Sequence, residues 1–513
     1  MYIDSSNGYA VSYYPHNGVN TPPDLANSIS DGFGINFSPT YVPISQYNYV
    51  KCVSGGSCTP ATFPEIDFQG PMYVVNQFSA SDGTGGTYTN DFYYWYARLN
   101  LQGRGFEGFY AARQHDSRSG IYVLSYYLQQ FPYIGSLSDQ ETIESDGVTF
   151  MGDTGNTYTY STPGGLSGTS CNSCYFRYIS DSVVYNYEPT GSKKGGVSSY
   201  ISSTNTQYTY DSYGNLTKTI ATTEDTDAGA GTPPYRSPFY GQYWVTEIQN
   251  TITNDNSAAN WCLGRPSTTT TTKSVPNQSP LTRTVAHTID YPNCRATVET
   301  VEPNDSRLQV TSTFGFDNCG NTSSVSVVGL DQNGNSMPAR VTQTNYSYST
   351  SRCALPEAVT DAQGFRTVTA YNYSFGLPSS VTDPNGIQAS QLSYDDFGRK
   401  TKDLRADGTY TTYAYSDCVT APCWGAADLR LLATITLYSS GASALRSQEK
   451  FYDGLDRLRY DEGNRVLGAW DNTVYYYDSL GRKTQATLPY SSSSNSYHLY
   501  SYDVADRSTE DDL

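Results

Sequence analysis

The stretch Ser393–Thr401 reads Ser-Tyr-Asp-Asp-Phe-Gly-Arg-Lys-Thr, the pattern of a strand, a tight turn and a return strand. The side chain of Asp395 can hydrogen-bond to nearby backbone amides and so begin a turn. Gly398 can adopt the positive φ that closes it, because glycine has no Cβ to clash there. From Arg399 onward the chain would run back beside the first strand. The stretch therefore predicts a β-hairpin.

This hairpin pattern recurs along the chain, and Tyr452, Tyr477 and Tyr502 follow one another at a spacing of 25 residues. A lone hairpin cannot bury its apolar face, so repeated hairpins are expected to line up edge to edge in one sheet. The repeat residues, which we interpret as structural turn residues, are Tyr210, Asp211 and Gly214; Phe316, Asp317 and Gly320; Tyr394, Asp395, Gly398 and Arg399; Tyr452, Asp453 and Arg457; Tyr477, Asp478, Gly481 and Arg482; and Tyr502, Asp503 and Arg507.

Two of these turns carry aspartate, Asp456 and Asp506, where the other copies have glycine. Because aspartate tolerates a positive φ less well than glycine does, we expect looser pairing at these two turns. The arginines of the repeats are the regularly spaced charges of the sequence. We expect each to pair with a turn aspartate and to stack on a tyrosine face.

The composition favours an all-β protein. Of the 513 residues 37% are hydrophobic and 14% aromatic, with 49 tyrosines, 44 glycines and 25 prolines. A disordered chain would be poor in aromatic residues, and an α-helical one would show long amphipathic runs, which this sequence lacks. Tyrosine, threonine, serine and valine suit strands, and glycine suits turns. We predict a long antiparallel sheet of repeated hairpins.

The formal net charge of -18 excludes several classes of partner. Such a surface repels phosphate backbones and anionic lipid, so we expect no nucleic-acid binding. No stretch is apolar and long enough for a transmembrane helix. Residues 1–30 show no basic region and no signal peptide. We expect a secreted, extracellular or cell-surface protein that leaves the cytoplasm by another route or belongs to a longer chain.

The ten cysteines include three closely spaced pairs. Cys52 and Cys58 bracket one turn and Cys418 and Cys423 another, so each pair could form a local disulfide. Such disulfides would indicate an oxidising compartment, with free thiols as the alternative. Cys171 and Cys174 form a CxxC pair, which could be a disulfide. A zinc site would need a second such pair or nearby histidines, so we expect no metal.

The secondary structure of three segments is less clear from the sequence. Residues 150–170 look rich in turns, and residues 221–241 look like an exposed inserted loop. The five threonines at 268–272 suit a polar strand as well as a linker, because threonine is β-branched.

Few residues of the sequence are candidates for catalysis or ligand binding, and we predict no catalytic residue and no cofactor. The run Asp331–Asn335 has oxygens at alternate positions but lacks the glycine and glutamate of a calcium loop, so a hairpin turn is favoured. Glu107 could be half of a glycosidase carboxylate pair, but it has no evident partner, and an exposed strand position is favoured. The aromatic run Tyr93–Tyr96 could stack on sugars; contacts across the sheet are favoured.

The repeats resemble the YD repeats of the RHS family, in which a Tyr-Asp pair is followed by Gly-Arg. Tyr394-Asp395 with Gly398-Arg399 matches fully, as does Tyr477-Asp478 with Gly481-Arg482. Upstream segments resemble the B component of insecticidal toxin complexes, and with the repeats they cover roughly residues 30–510. They are Ser30–Gly34, Gly103–Phe109, Gln130–Gly135 and Asn260–Arg265.

The resemblance implies a sheet wound into an open or hollow shell. Its expected divisions are a leading β segment at 1–30, a B-component-like β region at 31–200 and a repeat region at 201–513. In the family the shell encloses a C-terminal toxin polypeptide. This sequence shows no upstream propeller, aspartate autoprotease core or toxin domain, so we expect a fragment or truncated relative.

Two functions fit this reading. The first is a non-enzymatic bacterial virulence protein that packages or delivers a toxin, with the toxin polypeptide or other shell segments as partners. The alternative is an adhesion or carbohydrate-binding module that recognises cell-surface glycans.

Overall fold

The computed structural model describes residues 2–4, 10–12, 25–31, 35–46, 48–83, 85–161, 175–187, 200–227, 237–347, 352–418, 423, 428–464, 470–492, 496–503 and 506–512. These residues form 37 strands and a short 3-10 turn at Tyr291–Asn293, without an α-helix among them. The all-β prediction is confirmed. The strands that precede the regular hairpin series are β1 (Tyr2–Asp4), β2 (Ala10–Ser12), β3 (Ile29–Ser30), β4 (Asn36–Pro43), β5 (Tyr49–Val50), β6 (Glu65–Asp67), β7 (Tyr73–Ser81), β8 (Thr87–Trp95), β9 (Arg98–Asn100) and β10 (Gly105–Gly108).

The remaining strands follow in a long series. They are β11 (Ala111–Asp116), β12 (Tyr122–Tyr127), β13 (Leu137–Ile143), β14 (Phe150–Ser161), β15 (Phe176–Tyr187), β16 (Tyr200–Tyr210), β17 (Leu216–Asp225), β18 (Tyr243–Ile252), β19 (Pro266–Ser274), β20 (Leu281–Asp290), β21 (Arg295–Val301), β22 (Val310–Phe316), β23 (Thr322–Gly329), β24 (Arg340–Tyr346), β25 (Pro356–Thr360), β26 (Arg366–Asn372), β27 (Leu377–Thr382), β28 (Gln388–Tyr394), β29 (Lys400–Arg405), β30 (Tyr410–Asp417), β31 (Leu429–Tyr438), β32 (Ala444–Asp453), β33 (Leu458–Asn464), β34 (Trp470–Tyr477), β35 (Lys483–Thr487), β36 (Tyr497–Tyr502) and β37 (Ser508–Asp512).

Thirty-two of these strands belong to one continuous sheet. From β11 to β37 each strand pairs antiparallel with the next, as the repeats predicted. The series continues from β11 through β8, β7 and β4 to β3, and β5 lies parallel to the end of β8. Outside this sheet, β6, β9 and β10 form a small sheet and β1 pairs with β2.

The long sheet does not surround a solid core. The chain exposes 30623 Å², whereas a compact protein of its 56.4 kDa would expose about 18,500 Å². Both faces of most strands therefore remain accessible, and the structure has the form of a shell.

Buried apolar side chains form two small clusters at the side of the sheet. One joins Ile44, Tyr49, Val74 and Ala97 and lies where β5 meets the end of β8. The other joins Cys423, Leu429 and Phe451 beside β31 and β32. These local clusters fix the ends of particular strands. Contacts between side chains on neighbouring strands stabilise the rest of the 32-stranded sheet, which we term the wall.

Two readings of the sequence were wrong. The turn-rich interpretation of 150–170 fails in its first part, because residues 150–161 form β14, where Gly152 and Gly155 pair in register with Asn186 and Val183; residues 162–170 lie outside the described residues. The loop reading of 221–241 fails in its first part, since residues 221–225 continue β17; residues 228–236 lie outside the described residues. The five threonines lie in β19 and pair with β18 and β20 on either side.

The division at residue 200 stays a prediction, and the ladder between β15 and β16 crosses it directly. Within the described ranges, no helix is long and apolar enough to cross a membrane.

Candidate functional site: the repeat turns and the closing contact

The turn at Asp395 shows how the repeat sequence makes a hairpin. Gly398 N–H donates to the Asp395 carbonyl at 3.0 Å, and Asp395 N–H donates to the Arg399 carbonyl at 2.9 Å. Gly398 has a φ of 75°, so the hairpin is a β-turn closed by a left-handed residue that forms a bulge. The same two bonds recur at Asp211, Asp317 and Asp478.

The aspartate carboxylate stabilises the turn from inside. Asp395 Oδ1 accepts hydrogen bonds from the amides of Phe397 and Arg399, at 3.0 and 2.8 Å. Partial burial alone would raise the pKa of Asp395, but these amide bonds and the bond from the Arg399 side chain outweigh it and lower the pKa below 3.8. The hydrogen bonds to the Asp395 carboxylate thus come from its own turn.

The residue after the turn glycine completes the motif in either of two forms. Arginine Nε donates to the second carboxylate oxygen in Arg399, Arg457 and Arg482, at 2.7, 2.8 and 2.7 Å. In the copies without arginine, Asn215 and Asn321 donate to the same oxygen through Nδ2, at 2.9 and 3.2 Å. Asparagine therefore replaces arginine within the turn, and it also bonds to a neighbouring loop: Asn215 Nδ2 donates to Asn254 Oδ1 at 3.1 Å and Asn321 Nδ2 to the Cys353 carbonyl at 2.8 Å.

The repeat tyrosine connects each hairpin to the one before it. Tyr477 Oη donates to the Leu458 carbonyl at 2.9 Å, and Tyr502 Oη donates to the Lys483 carbonyl at 2.9 Å. The guanidinium of Arg457 lies 5.0 Å from the centre of the Tyr477 ring, a cation–π contact. Arginine thus has the two contacts that the sequence predicted, one within its turn and one with the next repeat.

The two aspartate-containing turns are not looser, which corrects that expectation. Asp456 and Asp506 adopt φ values of 59° and 61° and keep the turn hydrogen bonds at 3.0 to 3.1 Å. Asp506 gains a contact that glycine could not make, since its Oδ1 accepts a hydrogen bond from Arg482 Nη1 at 2.6 Å. At Asp506 an ion pair between repeats therefore accompanies the strained backbone.

The turn between β32 and β33 contacts the turn between β7 and β8; we term this the closing contact. Arg457 Nη2 donates to the Asp82 carbonyl at 3.1 Å across 375 residues of sequence. Leu455 packs over Gly83 so tightly that a Cβ there would lie 2.5 Å from Leu455 Cγ. The Asp453 side chain, paired with Arg457, is 0% exposed. The wall is therefore joined to itself at a buried ion pair.

Among the described residues, four disulfides link turns and loops. Cys52 is bonded to Cys58 and Cys418 to Cys423, the two local pairs that the spacing suggested. Cys171 and Cys174 lie outside the described residues. The sequence reasoning did not identify two longer links, Cys262 to Cys294 and Cys319 to Cys353. Cys319 lies inside a repeat turn, a position that could have suggested a partner in a neighbouring loop.

Glu107 is buried, and its assignment to an exposed strand position was wrong. Its side chain is 2% exposed in β10. Burial, with a smaller effect from the Glu65 carboxylate, raises the pKa of Glu107, and a bond from Asn100 partly opposes this. Glu65 itself pairs with Arg98 at 3.2 Å. A substrate would have no open path to this carboxylate.

Three acidic side chains share one face of neighbouring strands. Glu141 on β13 lies opposite Asp153 on β14, and Asp139 interacts with Asp153 through a side-chain hydrogen bond. Burial, followed by the Asp153 carboxylate, raises the pKa of Asp139 to about 6. At neutral pH the ionised carboxylates of this cluster repel one another.

The remaining candidates take structural positions. Asp331 Oδ1 accepts hydrogen bonds from the amides of Asn333 and Asn335, both at 2.8 Å, in the favoured hairpin turn. Within the described part of the chain, no group of three or more metal-ligating side chains is found. Tyr93 lies opposite Arg113 on the sheet, with their ring and guanidinium 5.6 Å apart. Tyr94 packs on Phe109 at 4.8 Å between ring centres.

No protein-family model and no curated protein sequence matches this chain. Its structure, in contrast, superimposes on crystal structures of the TcdB2-TccC3 toxin complex. One aligns over 94% of this chain with a TM-score of 0.65 and 12% identity. The chain has the shell fold of these complexes.

Two related crystal structures give the same result. TcdB2-TccC3 without its hypervariable C-terminal region aligns over 94% of this chain, at 12% identity and a TM-score of 0.65. TcdB2-TccC3-Cdc42 aligns over 94%, at 11% identity and a TM-score of 0.66. The chain spans about a third of the length of these structures, 33% to 35%. The expectation of an RHS-type shell fold is confirmed.

Proposed function

We propose that this chain is a wall segment of a hollow shell that encloses a toxin polypeptide, and that it catalyses no reaction itself. The observation that carries the proposal is a continuous sheet of 32 strands with a surface far larger than a compact protein would have. In a structure of this kind most residues surround a space and few form a packed core. The similar TcdB2-TccC3 complex has a hypervariable C-terminal region, which supports a variable polypeptide as cargo.

The chemistry of the wall supports a passive role. The turn carboxylates accept hydrogen bonds from their own backbone, as at Asp395 and Asp331. Glu107 is buried, and His287 contacts the Glu299 carboxylate at 3.3 Å. These groups hold the fold, and we infer that they are not arranged for substrate turnover.

The disulfides support function outside the reducing cytoplasm. All eight cysteines in the described ranges are bonded in pairs. Such bonds form and persist in oxidising surroundings. We therefore propose that the mature shell acts after export, in the extracellular space or at a cell surface.

Protease protection tests the proposal. An unstructured, protease-sensitive polypeptide is fused after Leu513 and digested with subtilisin, beside the same polypeptide fused to a compact carrier protein. We expect much slower cleavage in the shell fusion, and loss of that protection when Arg457→Ala opens the closing contact. Equal cleavage rates in the shell and carrier fusions, with the shell folded, would contradict enclosure.

A further inference from the structure

A cleft opens beside the wall, between the Cys52–Cys58 loop and the end of β12. Its volume is about 340 Å³. That is at the lower end of the range for small-ligand pockets, about 300–1,000 Å³. Three tyrosines, Tyr96, Tyr110 and Tyr127, line it together with Asp67 and Arg98. The cleft is separate from the repeat turns and from the closing contact.

Aromatic rings form one side of the cleft. The rings of Tyr96 and Tyr110 lie 6.0 Å apart and 33° from parallel. Tyr110 is 43% exposed although its ring also contacts Tyr126, at 5.7 Å between centres. An exposed tyrosine held by other rings presents a rigid apolar face with a polar tip.

Charged groups stand at the same cleft. Asp67 Oδ2 accepts a hydrogen bond from the Ala61 amide at 3.0 Å. Its Oδ1 is buried and receives no hydrogen bond from any described residue, which is costly for a carboxylate oxygen. Arg98 pairs with Glu65 at 3.2 Å and donates to the Thr59 carbonyl at 3.2 Å. Asp67 and Arg98 therefore line the cleft as two charged groups held in place by their own contacts.

The cleft is held in shape by strain and by buried contacts. Tyr96 has a φ of 54°, which costs a bulky side chain about 1–2 kcal/mol. Gln129, which is 4% exposed, holds this geometry by donating Nε2 to the Tyr96 and Gly108 carbonyls at 2.7 and 2.9 Å. Ser57 in the disulfide loop contacts Tyr96 Oη at 3.2 Å. Strain maintained in this way is typical of binding sites.

We propose that this cleft binds one neutral sugar ring, as a free pyranoside or as the terminal residue of a glycan. The tyrosine faces would pack on the C–H face of the ring, while Asp67 and Arg98 would accept from and donate to its hydroxyl groups. The volume suits one ring. The net charge of -18 disfavours an acidic sugar. This activity is independent of cargo enclosure and would give the shell a means of contacting a glycosylated surface.

Saturation-transfer NMR on the full chain tests the proposal, with the methyl pyranosides of glucose, galactose, mannose and N-acetylglucosamine as probes. We expect transfer to at least one of them. Tyr110→Ala should weaken binding about tenfold, equivalent to about 1.4 kcal/mol. Asp67→Asn, which preserves the side-chain volume, should also weaken it.

Tyr160→Ala is the matched control, because Tyr160 is 46% exposed and packs on the rings of Tyr133 and Tyr175 but does not line the cleft. It should leave binding unchanged. The proposal is overturned if no pyranoside shows transfer with the folded wild type, or if Tyr160→Ala reduces binding as much as Tyr110→Ala. It is also overturned if folded Asp67→Asn and Tyr110→Ala both bind as the wild type does.

Discussion

Arg457 donates a hydrogen bond to the backbone carbonyl of Asp82, at 3.1 Å and across 375 residues of sequence. The same guanidinium pairs with Asp453, whose side chain is fully buried. One residue therefore completes its own repeat turn and joins a late part of the wall to an early one. The closing contact therefore joins two turns of the wall that are far apart in the sequence.

The first prediction concerns the loss of this guanidinium. Arg457→Ala should destabilise the fold by about 3–5 kcal/mol, because it leaves the Asp453 carboxylate buried without its partner. Arg399→Ala is the matched control: Arg399 makes the same turn contact but is 41% exposed, so the cost should be about 1 kcal/mol or less. Denaturant unfolding measures both. Similar losses would show that the closing contact adds nothing to the turn.

The second prediction concerns packing at the closing contact. Gly83→Ala should lower the thermal midpoint clearly, because the new Cβ would overlap Leu455. Gly85→Ala measures the cost of the positive φ alone. Gly85 also has a positive φ, 95°, but nothing lies within 4 Å of its added Cβ. A calorimetric scan should show the larger drop for Gly83→Ala. An equal drop would mean that Leu455 is not fixed over Gly83.

The third prediction compares the two aspartates at left-handed turn positions. Asp456→Gly should stabilise the fold by about 1 kcal/mol, because it removes the penalty of a positive φ. Asp506→Gly should gain less, since it also removes the 2.6 Å contact with Arg482. Denaturant midpoints of the two variants decide the matter. A larger gain for Asp506→Gly would argue against the ion pair between repeats.

The repeat turns could be predicted from sequence because their information is local. In Asp395 to Arg399 the carboxylate, the glycine and the arginine that make the turn all lie within five residues. The closing contact could not, because no local pattern relates Asp82 to Arg457. Glu107 was misplaced for a similar reason: the elements that bury it are set by tertiary packing. Gly152 and Gly155 look like turn residues, yet pairing on both sides holds them in β14.

The fourth prediction concerns pH. Burial and the Asp153 carboxylate raise the pKa of Asp139 from 3.8 to about 6 in the folded chain. Between about pH 4 and pH 6 the folded chain keeps a proton that the unfolded chain has released, so this residue's contribution to stability falls as the pH rises. Above pH 6 the full repulsion from Asp153 and Glu141 remains.

Asp139→Asn should therefore raise the thermal midpoint at pH 8 and change it little at pH 3.5. Asp396→Asn, at an exposed turn position, is the control and should have little effect at either pH. Thermal unfolding at the two pH values gives the comparison. A stabilisation of Asp139→Asn that is equal at both would show that charge repulsion is not its cause.

Electron cryo-microscopy of the purified chain shows whether these hairpins form the wall of a hollow shell. We expect a density one sheet thick around a low-density interior, with the turn at Arg457 against the turn at Asp82. Two sheets packed face to face about 10 Å apart, with side-chain density filling the space between them, would contradict it.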